Sequence, residues 1–174
     1  MKVRSEYLET WGLEKDDVLY DALLNSYRIL SPRIYDFKKM MYTPGYAGED
    51  FLNMDPYFIS DKKKKEGICL SVKGLSNGAV AVLYPGVIKK LVEFMDGGFY
   101  VVFSSVHEAL IYSSKLCSLE ELENLLRTSN ARMTFQKEFL TDKVYYYCKE
   151  EDKFIMLRGS MKMLVTTIRM DEEN

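Results

Sequence analysis

Ile68-Cys69-Leu70-Ser71-Val72-Lys73-Gly74-Leu75-Ser76-Asn77-Gly78-Ala79-Val80-Ala81-Val82-Leu83-Tyr84-Pro85 decides how the rest of the chain is read. Ile68, Leu70 and Val72 alternate with Cys69, Ser71 and Lys73, the period of two that turns one row of side chains toward a core. Asn77-Gly78 supports positive φ, so the spacing predicts a tight connection into a second strand over 79–84 and hence an antiparallel hairpin. Pro85 then starts a helix. Val87, Ile88, Leu91, Val92 and Met95 make its apolar stripe, and Gly97-Gly98 supplies the exit expected after a helix C-terminus.

The same order recurs downstream. Residues 99–103 and 106–112 read as strands, and Ser118-Leu119-Glu120-Glu121 is a capping box opening a helix that buries Leu119, Leu122, Leu125 and Leu126. A short link with helical character passes Phe139 and Leu140. Strands at 143–148 and 154–158 follow, separated by the charged turn Lys149-Glu150-Glu151-Asp152. The tail over 160–170 fits an edge strand or a helix. Upstream, Asp16 and Asp17 cap a helix that Pro32 ends, with Leu19, Ala22, Leu23 and Leu30 near helical spacing. A second helix over 34–41 and a Pro- and Gly-punctuated loop over 43–48 come next. This ββα-ββα-ββ order behind an N-terminal helical segment predicts an α+β fold. Its antiparallel or mixed sheet is covered by helices, in place of a doubly wound parallel sheet.

At 174 residues the chain suits one domain, with 1–67 mainly helix and loop, 68–158 the sheet-helix core and 159–174 a tail. Lys and Arg number 24 against 26 Asp and Glu, a balance that suits neither a general nucleic-acid binder nor a strongly acidic mimic of DNA. Cys69, Cys117 and Cys148 are scattered, without a Cys-x-x-Cys pair, and His107 is the sole histidine. No metal site or cofactor is expected from that set. Reduced thiols and the absence of an apolar leader or spanning run point to a cytoplasmic protein away from membranes.

Ser104-Ser105-Val106-His107-Glu108 places hydroxyls, an imidazole and a carboxylate in one string. On a strand, Ser105 and His107 face one side at about 6.6 Å spacing and Glu108 the other, so a nucleophile, base and orienter do not assemble. No Gly-x-Ser-x-Gly elbow is present. No catalytic residue is assigned; Ser105, His107 and Glu108 are candidates for a polar contact patch, a small-molecule sensor or hydrolase-like site being the alternative. Asp61-Lys62-Lys63-Lys64-Lys65-Glu66 is the one charge block. It reads as a solvated loop, or as a surface where Lys62, Lys63, Lys64 and Lys65 touch phosphate or an acidic partner. Tyr145-Tyr146-Tyr147 reads as part core and part sheet surface, and its neighbours Lys143 and Lys149 are offset by acids, which disfavours base stacking.

Several strings in order resemble an uncharacterised bacterial family, DUF5688, over about Trp11 to Phe154. They are Trp11-Gly12-Leu13, Ser76-Asn77-Gly78-Ala79, Leu83-Tyr84-Pro85-Gly86-Val87, Phe99-Tyr100-Val101-Val102, Ser104-Ser105-Val106-His107-Glu108 and Leu140-Thr141-Asp142-Lys143-Val144-Tyr145-Tyr146-Tyr147. The family pattern has proline before the paired serines where this chain has Phe103, which predicts a more strand-like backbone there. Longer relatives carry a further N-terminal region. What the resemblance implies is modest, since no enzymatic activity or cofactor is established for the family. Its relatives' company with mobile-element genes implies an accessory, defence or anti-defence setting. The expectation is therefore a non-catalytic protein-interaction module, an inhibitor or accessory protein of a phage or mobile element. Nucleic acid would be reached only indirectly, through a protein partner; the oligomeric state stays open. A nucleic-acid-binding module is the further alternative.

Overall fold

The computed structural model describes residues 5–133, 138–158 and 161–164. Two helices lead, α1 (Ser5–Trp11) and α2 (Lys15–Ile29). Then come β1 (Pro32–Tyr35), α3 (Phe37–Tyr42), β2 (Glu49–Asp50), a 3-10 turn Pro56–Phe58, α4 (Asp61–Glu66) and β3 (Ile68–Val72). A second 3-10 segment Gly78–Leu83 leads into α5 (Val87–Met95), β4 (Phe99–Val102), β5 (Ala109–Ser113) and α6 (Leu119–Met133). β6 (Val144–Cys148), β7 (Lys153–Arg158) and β8 (Met161–Leu164) close the described chain.

Among the described residues, eight strands form one sheet in the order β2-β1-β3-β5-β4-β6-β7-β8, and every pairing is antiparallel. The chain forms the expected α+β class, and of the antiparallel or mixed sheet expected it forms the antiparallel one. The register aligns Ile34 with Leu70, Leu70 with Ala109 and Ile111 with Val101, so these five share a face. That face packs on Val87, Leu91, Phe94 and Met95 of α5 and on Leu23, the buried residue of α2. The opposite face presents Val102, Tyr112 and Val144 to Leu122 and Leu126 of α6. Helices on both faces explain why β3 and β5 are apolar almost throughout instead of alternating with polar residues.

Several local expectations are corrected. Residues 79–84 are not a strand: they are the 3-10 segment, because β3 already has β1 on one edge and β5 on the other and leaves no place for a hairpin partner. The first ββα unit is thus strand, 3-10 turn, helix. Residues 34–41 are not one helix; Pro32–Tyr35 enters the sheet as β1, and Asp36 caps α3 by accepting from the amides of Lys38 and Lys39. The N-terminal 1–67 segment therefore supplies two strands besides its helices. The lysine block is a helix, capped by Ser60 and closed by Gly67 at φ 98°, and not a loop. Asp16 and Asp17 lie inside the first turn of α2, whose cap residue Glu14 makes no side-chain bond. They favour the helix dipole without capping it.

The capping box at Ser118 forms as expected, with the Ser118 amide donating to Glu121 at 2.9 Å and the Glu121 amide to the Ser118 hydroxyl at 3.3 Å. Leu125, however, is exposed, turned away from the face that buries Leu122 and Leu126. Asp96, at φ 55°, takes the left-handed position ending α5, one residue before the glycines. Phe139 and Leu140 are not helical. Of the tail, Met161–Leu164 is the edge strand β8, and 165–170 lie outside the described residues.

Candidate functional site

The Ser104–Glu108 string is not on a strand. The backbone leaves the sheet after Val102 and bends through 104–107 before β5 begins at Ala109, so the strand-like backbone expected from Phe103 does not form. The reason lies across the loop. Where β3 ends and diverges from β5, the start of the 3-10 segment enters the gap: the Gly78 amide donates to the His107 carbonyl at 3.1 Å and the Ala79 amide to that of Val106 at 3.2 Å. Ser71, fully buried at the end of β3, donates its hydroxyl to the same His107 carbonyl at 2.6 Å. On the outer side, the Val106 amide donates to the Glu138 carbonyl at 3.0 Å. Three segments far apart in sequence are thereby locked into one junction.

Within it each polar side chain of the string has a local task. The Ser104 hydroxyl donates to the Glu108 carboxylate at 2.6 Å. The Ser105 hydroxyl accepts from the His107 amide at 3.0 Å, a local turn bond. His107 Nδ1 accepts from the Asn77 amide at 3.2 Å, which places the proton of the neutral ring on Nε2. That nitrogen faces the Glu138 carboxylate at 3.7 Å, and the ring side chain is one-third exposed. Ser105, His107 and Glu108 are neighbours, yet among these bonds no hydroxyl meets the imidazole and Glu108 does not orient it. A hydroxyl aimed at a base, the arrangement an activated nucleophile needs, is not formed. Ser71, Asn77 and Glu138 belong to the junction and escaped the sequence reading. Ser71 left a signal as the lone polar residue of an apolar strand and Asn77 as half of an Asn-Gly turn; Glu138 sits 31 positions from His107 without any motif.

The lysines form a separate group at the far end of the sheet, since α4 precedes β3 and Asp36 follows β1, whose end at Tyr35 pairs with Cys69. Lys63 pairs with Asp36 at 2.7 Å, Lys64 with Asp61 at 3.5 Å and Lys62 with Glu66 at 3.7 Å. The Lys63 ammonium, with the two capping amides, pulls the Asp36 carboxyl down to about 2. Lys65 contributes its backbone carbonyl, which accepts from the Cys117 thiol at 3.3 Å. Ser105, His107 and Glu108 are therefore not part of one site with Lys62, Lys63, Lys64 and Lys65.

Among the described residues no three His, Cys, Asp or Glu side chains gather to hold a metal ion. No helix among them is long and apolar enough to cross a membrane. Burial lifts the Cys69 thiol to about 12 and raises that of Cys117. Neither is primed for nucleophilic attack.

The sequence model of the family of unknown function DUF5688 matches residues 1–149. The chain belongs to DUF5688. No curated protein and no solved structure matches it. Two of the strings through which the chain resembles DUF5688, 76–79 and 104–108, are the two sides of the junction: the Asn77 amide on the His107 ring, and the Gly78 and Ala79 amides on the 106–107 carbonyls. A third, 140–147, begins two residues after Glu138 and becomes β6, beside β4. The Trp11 string closes α1, where Trp11 stacks on Tyr7 at 5.7 Å.

Proposed function

We propose that this DUF5688 protein is a non-catalytic protein-interaction module, of the kind an accessory or anti-defence inhibitor of a phage or mobile element would be. One observation carries the reading. The polar groups that sequence singled out for chemistry are occupied in holding loops together, whereas large apolar side chains stand in solvent on short exposed elements. Tyr57 is 96% exposed and Phe58 76%, on the Pro56–Phe58 turn; Met41 and Tyr42 are 70% and 79% exposed on α3. Single exposed apolar residues are ordinary, but adjacent pairs of this size on two elements suit recognition of another macromolecule.

Purification of the full chain from cells that encode it, at physiological salt, tests the reading. A stoichiometric protein complex that persists through size exclusion is expected. Recovery of the protein alone, together with saturable binding of a metabolite at the His107 junction, would replace the reading with a sensor or enzyme. A complex with nucleic acid that dissolves as salt rises would replace it with a nucleic-acid module.

A further inference from the structure

We infer that α1 and the first half of α2 form a docking surface, and that its occupant is a basic protein surface with an apolar centre. The inference rests on the interaction reading above and adds to it the place and the sign of the contact. α1 is Ser5-Glu6-Tyr7-Leu8-Glu9-Thr10-Trp11, and none of Tyr7, Leu8 and Trp11 belongs to a core cluster of the sheet. From Glu6 to Ala22 only Leu8 and Val18 are even half-buried; Leu23 is where α2 first reaches the core. Tyr7 and Trp11, one helical turn apart, stack at 5.7 Å, and both are exposed, Trp11 by 51%. Trp11 is the only tryptophan of the chain. Leu13, Leu19 and Tyr20 are exposed as well. A stacked tyrosine and tryptophan held outside the core are the kind of side chain that dominates binding once a partner desolvates it.

Charge selects the partner. Residues 5–22 hold six acids, Glu6, Glu9, Glu14, Asp16, Asp17 and Asp21, against the single base Lys15. Lys2 and Arg4, just ahead in sequence, leave the segment acidic when counted with it. The whole chain has 24 Lys and Arg against 26 Asp and Glu, so this segment carries all of the acidic excess and more. Among the described residues none of the six acids takes part in an ion pair. Folding accounts for Asp16 and Asp17, which favour the dipole in the first turn of α2. It does not account for Glu9, in the last turn of α1, where the dipole disfavours negative charge. Nor does it account for Asp21, one helical turn from Asp17, where two like charges oppose the helix that carries them. A cation from outside the chain relieves both.

Nucleic acid and anionic lipid carry the same sign as this surface and are repelled by it. A second copy of the chain docked face to face would set acids against acids. A basic protein surface complements the carboxylates at the rim and covers the Tyr7–Trp11 stack at the centre.

The test places the photo-crosslinking residue p-benzoylphenylalanine at Tyr7 and, in a separate protein, at Tyr57, each in the full chain in cells that encode it. The Tyr7 probe is expected to give an adduct with a basic protein. Adding Glu9→Lys and Asp21→Lys should lower that adduct about tenfold. The same two reversals should leave the thermal midpoint of the purified chain unchanged or higher, because they remove charges the helices disfavour. Glu120→Lys and Glu151→Lys, at exposed acids of α6 and of the turn between β6 and β7, should leave the adduct as it was. An adduct from Tyr57 with none from Tyr7 overturns the docking surface while the interaction reading stands. Adducts at neither position overturn both. A Tyr7 adduct with an acidic protein, nucleic acid, lipid, the chain itself or a second copy overturns the basic-protein occupant. So does an adduct indifferent to Glu9→Lys and Asp21→Lys, or one lowered equally by the α6 and turn reversals. A thermal midpoint that falls along with the adduct overturns the charge argument, since Glu9 and Asp21 would then serve the fold.

Discussion

At the scale of single residues the junction is held by close approach as much as by hydrogen bonds. Gly78 has no positive φ to excuse it; its role is space. A Cβ built there would stand 2.6 Å from the Val72 amide nitrogen and 2.8 Å from the His107 carbonyl oxygen, and closer still to the Ser71 hydroxyl. Two of these are backbone atoms in bonded elements and cannot swing aside. Gly78→Ala should therefore cost about 1–3 kcal/mol of unfolding free energy in urea denaturation, the range for overpacking a well-filled interior. The Cβ of Gly98→Ala meets first the hydroxyl and ring of Tyr146, a half-buried side chain that can move, and the loss should be smaller. Equal losses would remove the distinction between backbone and side-chain obstruction. The thiols give a second check. Cys69 is 1% exposed and its thiol is pushed to about 12 by burial, so it should be the last cysteine labelled by a thiol reagent at pH 8, and only as the protein unfolds. Little of this was legible beforehand: Asn77-Gly78 announced a turn, but that Gly78 touches residue 107 depends on a contact 29 positions away.

At the scale of elements, caps and periodicity worked where an element answers to its own sequence. The α5 stripe, the Ser118 box of α6 and the β6-β7 hairpin with its charged turn all formed because propensity and burial agreed locally. The same reading failed at α3 and α4, where single side chains override composition. Asp36 turns a would-be longer helix into strand, cap and short helix, and Ser60 with Gly67 turns a charge block into a helix. Asp36 also has a pH consequence. Its folded-state value, about 2, lies below the ordinary 3.8, so its contribution is full above pH 3.8 and is lost as pH falls toward 2. A carboxyl NMR titration should find Asp36 changing near pH 2. Asp36→Asn should remove that late titration and loosen α3 from α4, read as faster amide exchange at Lys38 and Lys39. A midpoint near 3.8 would break the Lys63 link between α3 and α4.

At the scale of the whole molecule, the N-terminal third is part of the sheet's structure. β1 pairs with β3, β2 pairs with β1, and Phe51, immediately after β2, is fully buried with its ring 5.3 Å from that of Phe94 in α5. Phe51→Ala should cost about 3–5 kcal/mol, as expected for emptying a packed aromatic site. Tyr57→Ala, six residues on and almost wholly exposed, should change stability by less than about 0.5 kcal/mol. Chemical denaturation of the two variants checks both. A small loss at Phe51 would mean that the first 67 residues contribute little to the core.

The sequence by itself determined the α+β class with an antiparallel or mixed sheet, the helices α2, α5 and α6, and most of the strands whose side chains alternate or run apolar. Those features depend on neighbours a few residues away. Only the tertiary structure decided that 78–83 coils into a 3-10 segment, that Pro32–Tyr35 is a strand and that Ser104–Glu108 is a loop. A strand exists only where an edge is free to pair with it. Both edges of β3 are taken by β1 and β5, so the segment after it turns inward, its amides reach the carbonyls of 106 and 107, and the histidine string becomes a clasp between loops.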